Sequence, residues 1–174
     1  MKTEIKYSLI ISILVLAWML LEYFFGFQKN QIWYINNKGL LLLFQSFIPL
    51  LFITLAIREK REKYLGGYII YAKAIKTGLY ISMITAVLSV PNVYLLYEVI
   101  NPSYFPFMIE YSITEMEKSG NNTMQVNEFL HSYYNLRTHL LQGFVGTLSI
   151  GIFITLIVSI FLKKNNPENL ETTE

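Results

Sequence analysis

The sequence predicts an all-α polytopic membrane protein: four transmembrane helices with an inner amphipathic helix and an outer helical hairpin. Three observations predict it. Four apolar runs, about 7–27, 39–57, 77–97 and 140–162, are each long enough to cross a hydrocarbon core of about 30 Å as a helix. The chain is 53% hydrophobic and only 15% charged, where a soluble domain carries about a quarter charged residues. Lysine and arginine are unevenly divided between the segments that join the runs.

Lys2 and Lys6 precede the first run. A secretory signal also begins with positive charge, but this run is too long for a signal core and no small-residue cleavage site follows, so an uncleaved span is expected. Glu22 lies inside it, toward the outer end. About a dozen apolar residues at roughly −0.5 kcal/mol each outweigh the roughly 3 kcal/mol that a central acid costs. Gln28–Lys38 reads as a polar loop whose Trp33 and Tyr34 suit an interfacial belt. The second span, 39–57, is interrupted by Gln45 and Pro49, and the proline predicts a kink.

A basic island, Arg58–Lys76, follows. Gly66-Gly67 breaks it. Tyr68, Tyr71, Ala72, Ile75 and Leu79 then recur at helical spacing with Lys73 and Lys76 opposite, which predicts a short amphipathic helix in the inner interface, leading into the third span. The segment 98–137 reads as two amphipathic helices, with Gly120 as a stop and Asn122 with Gln125 as a capping box between them. After the fourth span and Lys163-Lys164, residues 165–174 are expected to be a disordered cytoplasmic tail. Residues 1–164 thus form one transmembrane domain.

Arg58, Lys60, Arg61 and Lys63 determine the topology. With four spans, Lys2, Lys6, Lys73, Lys76, Lys163 and Lys164 fall on the same side as these, against Lys29, Lys38, Lys118 and Arg137 on the other. Ten against four places the island and both termini in the cytoplasm, and the expected location is the inner membrane.

Two helix faces stand out. Gly143, Thr147, Gly151, Thr155 and Ser159 recur every four residues in the last span, the small-residue ladder that lets backbones approach in lipid. Gly78, Ser82, Thr85, Ser89 and Asn92 form a heptad seam in the third. The expected role of both is helix packing. The sharper alternative is a polar path for a solute or ion, for which Glu22 would be the intramembrane functional residue. The milder reading of Glu22 is an acid that reaches the outer interface or pairs with Lys38, Arg137 or His139.

The chemistry available is thin. There is no cysteine, and all 12 acidic residues are glutamates, which excludes thiolate metal sites, Ser-His-Asp triads and aspartyl proteases. His131, Asn135 and His139 could share a helix face, and Glu128 with His131 matches half of a di-iron helix motif, but the second copy is missing. No catalytic, cofactor or metal site is expected, and a net charge of +2 gives no reason to expect a nucleic-acid partner.

Trp18-Met-Leu-Leu-Glu22, Gly66-Gly-Tyr-Ile-Ile-Tyr-Ala-Lys-Ala-Ile-Lys-Thr-Gly78, Asn101-Pro-Ser-Tyr104 and a glycine-containing last span ending at Lys163-Lys164 occur in an order and spacing that resemble the domain-of-unknown-function family 4199, small four-span membrane proteins mostly of Bacteroidota. The resemblance covers nearly the whole chain, although the family usually shows an acid before the proline of the third motif. It implies a topology and an inner-membrane location, and no activity. The leading expectation is a non-enzymatic accessory or assembly protein whose partners are the lipid bilayer and other membrane helices, from itself or from other subunits. The alternative is a small homo-oligomeric carrier or channel using Glu22 and the polar seams of the third and fourth spans.

Overall fold

A computed structural model describes residues 2–25, 31–118 and 124–165. In hydrocarbon a backbone must satisfy its own polar groups, which a helix does within one segment. Among the described residues six α-helices result: α1 (Lys2–Phe24), α2 (Gln31–Tyr64), α3 (Tyr71–Tyr94), α4 (Tyr104–Lys118), α5 (Met124–Tyr133) and α6 (Leu136–Leu162). Of these, α1, α2, α3 and α6 are long and apolar enough to cross a membrane. The chain is an all-α, multi-pass membrane protein. Lys29, the stop at Gly120, the cap at Asn122 and the tail from 166 to 174 lie outside the described residues.

Helix α2 has 34 residues, about 51 Å. It absorbs both the end of the expected outer loop and the first part of the basic island. Arg58–Lys63 alternates strong helix formers, and Glu59 with Lys63 makes an i,i+4 ion pair at 3.2 Å, so the helix does not stop where the apolar run does. It ends at Gly66 and Gly67, whose φ of 62° and 87° suits glycine alone, and the Gly67 N–H caps the Arg61 carbonyl at 2.9 Å.

The amphipathic stretch expected to start at Tyr68 and lead into the third span becomes helical only from Tyr71, as the first turns of that span. Ile69 instead exchanges two backbone hydrogen bonds with Lys164, at 2.9 and 2.8 Å, which holds it extended. Helix α3 begins at Tyr71, so Lys73 and Lys76 sit in the first turns of the span.

The basic ends of the helices are clamped together. Lys60 pairs with Glu4, Lys6 with Glu59 at 3.1 Å, and the Tyr7 hydroxyl donates to Glu59 at 2.6 Å. Arg61 caps the last turn of α6 through the Leu162 carbonyl at 3.1 Å. Beneath this clamp Ile11, Ile53, Ala56, Ile57, Ala74 and Ile81 form a tightly closed core.

The α3–α6 pair is the tightest packing in the bundle. A Cβ on Gly78 would collide with the Thr155 side chain, one on Gly151 would stand 2.5 Å from Ser82 Oγ, and one on Gly143 2.7 Å from Val93 Cγ2. The two seams therefore face each other within the chain. Ser8 of α1 joins the pair by donating to the Ile81 carbonyl at 3.2 Å. At the opposite end α3 passes into a π-helical stretch, Leu95–Ile100, closed by the Asn101 N–H on the Leu96 carbonyl at 2.8 Å. Helix α4 lays Tyr104 and Met108 over the span ends, so this helix rests on the bundle.

Gly78→Leu and Gly151→Leu should each lower the unfolding free energy in detergent by about 1–3 kcal/mol, the usual cost of overpacking. Gly39→Leu, where a Cβ meets nothing within 4 Å, should stay within about 0.5 kcal/mol of wild type. Equal behaviour of the three variants would mean that α3 and α6 do not meet along this seam.

Candidate functional site

In the half of the bundle away from the basic clamp, here labelled outer, the four spans leave a cavity of about 280 Å³ between them. It runs from Ile11, Ile53, Ser82 and Gly151 at mid-bundle to Glu22, Lys38, Tyr97 and His139 at the outer end. Eleven residues of α1 separate its ends, about 16 Å of helix.

Periodicity explains which side chains reach it. Ser82, Thr85, Ser89 and Asn92 share one face of α3, and Gly143, Thr147 and Gly151 share one face of α6. Each seam thus borders its partner helix along one edge and the cavity along the other. Gly78, Thr155 and Ser159 lie outside the cavity lining; Gly78 and Thr155 meet each other, and Thr155 and Ser159 are fully buried. Arg58, Lys60, Arg61 and Lys63 stand at the far end of the bundle, in the turns that carry the clamp with α1 and α6.

Most of the wall hydroxyls are already engaged. Ser82 donates to the Gly78 carbonyl and Ser89 to the Ala86 carbonyl, each at 2.8 Å. Asn92 reaches across to α1, donating to the Ser12 carbonyl at 3.0 Å and to Ser12 Oγ at 3.1 Å. Thr85 differs: it is 6% exposed, lines the cavity, and its Oγ1 has no hydrogen-bond partner among the described residues. On α2, Pro49 has no N–H, so the Gln45 carbonyl lacks its usual helical donor, and both residues line the cavity.

At the outer end Glu22 is buried at 6% exposure, and its Oε1 accepts from the Trp18 indole one turn back, at 2.5 Å. Of the partners expected from sequence, Lys38 and His139 line the same cavity. His139 Nδ1 stands 3.2 Å from the Asn135 carbonyl. A carbonyl only accepts, so Nδ1 carries a proton, and in the neutral ring Nε2 holds the lone pair. Rings of Phe105, Tyr97, Tyr104, Tyr134 and Tyr133 surround the imidazole at 4.9 to 6.2 Å between centroids, forming an aromatic roof. Burial pushes the Tyr104 phenol up to about 12, so this part of the roof carries no charge at neutral pH. The face expected to join His131, Asn135 and His139 does not form. The helix breaks at Asn135, which adopts an extended conformation and caps α6 by accepting from the Thr138 N–H at 2.9 Å.

This arrangement can hold a small molecule: mainly apolar walls, a few fixed polar groups and a buried acid. Sequence reasoning found Glu22 and the seams. It named Lys38 and His139 as possible partners of Glu22, and missed Gln45 and Ser46 of α2, Tyr34 and Tyr97 as members of the same site. The polar pair Gln45-Ser46, four residues before a proline in an otherwise apolar run, was the available signal.

The model of a family described as protein of unknown function (DUF4199) matches residues 6–164. No curated protein and no solved structure matches the chain.

A double-mutant cycle on Ser12→Ala and Asn92→Ala should give a coupling of about 0.6 kcal/mol, typical of hydrogen bonds between membrane helices. Strict additivity would show that this cross-helix bond does not hold α1 against α3.

Proposed function

The chain belongs to the DUF4199 family, and we propose on that premise that it is a non-enzymatic carrier or binding protein, which holds a small molecule inside its bundle. One observation carries this reading: Glu22 of α1 and the polar faces of α3 and α6 border a single cavity in the outer half of the spans. An acid buried among membrane helices is costly and is a functional candidate by default. A four-helix bundle closed at one end and hollow at the other is suited to taking up a ligand from one side.

The orientation belongs to the same proposal. The basic turns of α1, α2, α3 and α6 gather at one end, and the excess of positive charge there supports the reading that this end faces the cytoplasm of an inner membrane.

A second reading, an accessory protein for other membrane subunits, draws on α5. There Phe129 and Tyr133 are exposed and stacked, with ring centroids 6.0 Å apart. The ladders of α3 and α6 lend it less support, because they pack against each other.

Glu22→Gln keeps an acceptor for Trp18 but removes the charge. Mass spectrometry of the gently extracted protein should find a co-purifying small molecule in wild type and much less in the variant, at unchanged helical content. Equal loading would remove Glu22 from the site, and a second polypeptide at fixed ratio in place of a small molecule would favour the accessory reading. The chain has no cysteine, so orientation can be read on a clean background. Lys63→Cys should resist a membrane-impermeant maleimide in intact cells and Glu115→Cys should react; the reverse pattern overturns the orientation.

A further inference from the structure

The cavity is closed above and below and open at the side. Its floor is sealed by Ile11, Ile53 and Ile81, each at most 1% exposed. Its outer end lies under the aromatic roof around His139. Between α2 and α6 the wall is incomplete. Leu42 and Ile150 line the cavity yet are 47% and 40% exposed, and Gly146 borders it where a Cβ would meet nothing within 4 Å. In a membrane this gap faces acyl chains, not water.

A side entrance selects ligands dissolved in the bilayer. The shape selects further: about 280 Å³ drawn out over about 16 Å has room for one acyl chain and not for two. The polar groups then choose the head. Lys38 of α2 and Gln142 of α6 flank the outer end of the gap, and among the described residues Lys38 is the one lysine or arginine on the cavity wall. No ion pair joins Lys38 to another described residue. Glu22 is at the same end, but its carboxylate is engaged by Trp18, and His139 presents an uncharged nitrogen when neutral. Deeper in, between Lys38 and Thr85, the wall carries Val15, Met19, Leu41 and Val93, an apolar surface for a chain.

We propose that the cavity takes a single-chain amphiphile with an anionic oxyacid head, entering sideways from the outer leaflet between α2 and α6, with the head at Lys38 and the chain lying along α1 and α3 toward Thr85. This rests on the reading of the cavity as a small-molecule site. The head can be the carboxylate of a free fatty acid or the phosphate of a lysophospholipid.

The test uses the full chain in phosphatidylcholine nanodiscs and native mass spectrometry with four probes of equal chain length: palmitate, lysophosphatidylglycerol, monopalmitoylglycerol and a palmityl trimethylammonium. One of the two anionic probes should bind one to one, about fivefold more tightly than the neutral one, as a single partly exposed charge pair allows. Whichever binds identifies the source. Lys38→Gln should abolish the preference. Gly146→Leu, placed in open space, should fold as wild type and lose loading of every probe. Neutral or cationic probes binding as well as the anionic ones would overturn the head assignment, and undiminished loading of Gly146→Leu would overturn the entrance. If no probe binds while a small molecule still co-purifies with the chain, the ligand class is wrong and the binding reading stands; if neither is found, both fail.

Discussion

Within a bilayer, helices gain nothing from hiding apolar surface from one another, because lipid tails are equally apolar. Contact has to come from close backbone approach and cross-helix hydrogen bonds. In this chain that constraint is met along one line, where Gly78 lies against Thr155 and Gly151 against Ser82. The α3–α6 pair so formed is the spine of the bundle. Helix α1 attaches to it through Ser8 and Asn92, and α2 attaches chiefly at the basic end, through the Glu4–Lys60 and Lys6–Glu59 pairs and the closed core beneath them.

This distribution of contacts explains why one half of the bundle is solid and the other hollow. The clamp, the Ile69–Lys164 bridge and a run of fully buried isoleucines all act at the basic end. The outer half of α2 carries Gln45, Ser46 and Pro49 instead, which face a cavity. Polar groups there are held by their own helix or by one neighbour, as Ser89 and Asn92 are, so the wall is fixed while the space it encloses stays open. The π-helical stretch after α3 turns Leu96 and Tyr97 into that space, and the aromatic cluster around His139 covers it. Local irregularity of this kind is common where helices line a site.

Much of this was legible in the sequence, for identifiable reasons. Span number and type follow from run length, and the seams follow from four- and seven-residue spacing, because helix geometry turns spacing into a face. The limits of α2 were not legible from hydropathy, because Arg58–Lys63 leaves the membrane without ceasing to favour a helix. The extended residues before Tyr71 depend on Lys164, almost a hundred positions away, and no local pattern reports such a bridge. Glu22 was conspicuous as a lone acid. His139 was legible only as one of three possible partners for it, and Tyr34 and Tyr97 were not legible at all, since each belongs to a separate segment and only the packing of span ends brings them to one cavity. His131 and His139 looked like neighbours on one helix until Asn135, a strong capping residue, divided them.

The account stands on the outer half of the bundle being a lasting, occupied space, and not a gap that the helices close when lipid surrounds them. A high-resolution structure of the chain in lipid nanodiscs measures this most directly. The account predicts α2 held away from Thr85, with elongated density running from Lys38 past Val15 and Val93 toward Thr85. Gln45 packed against Thr85, with the cavity gone, would contradict it.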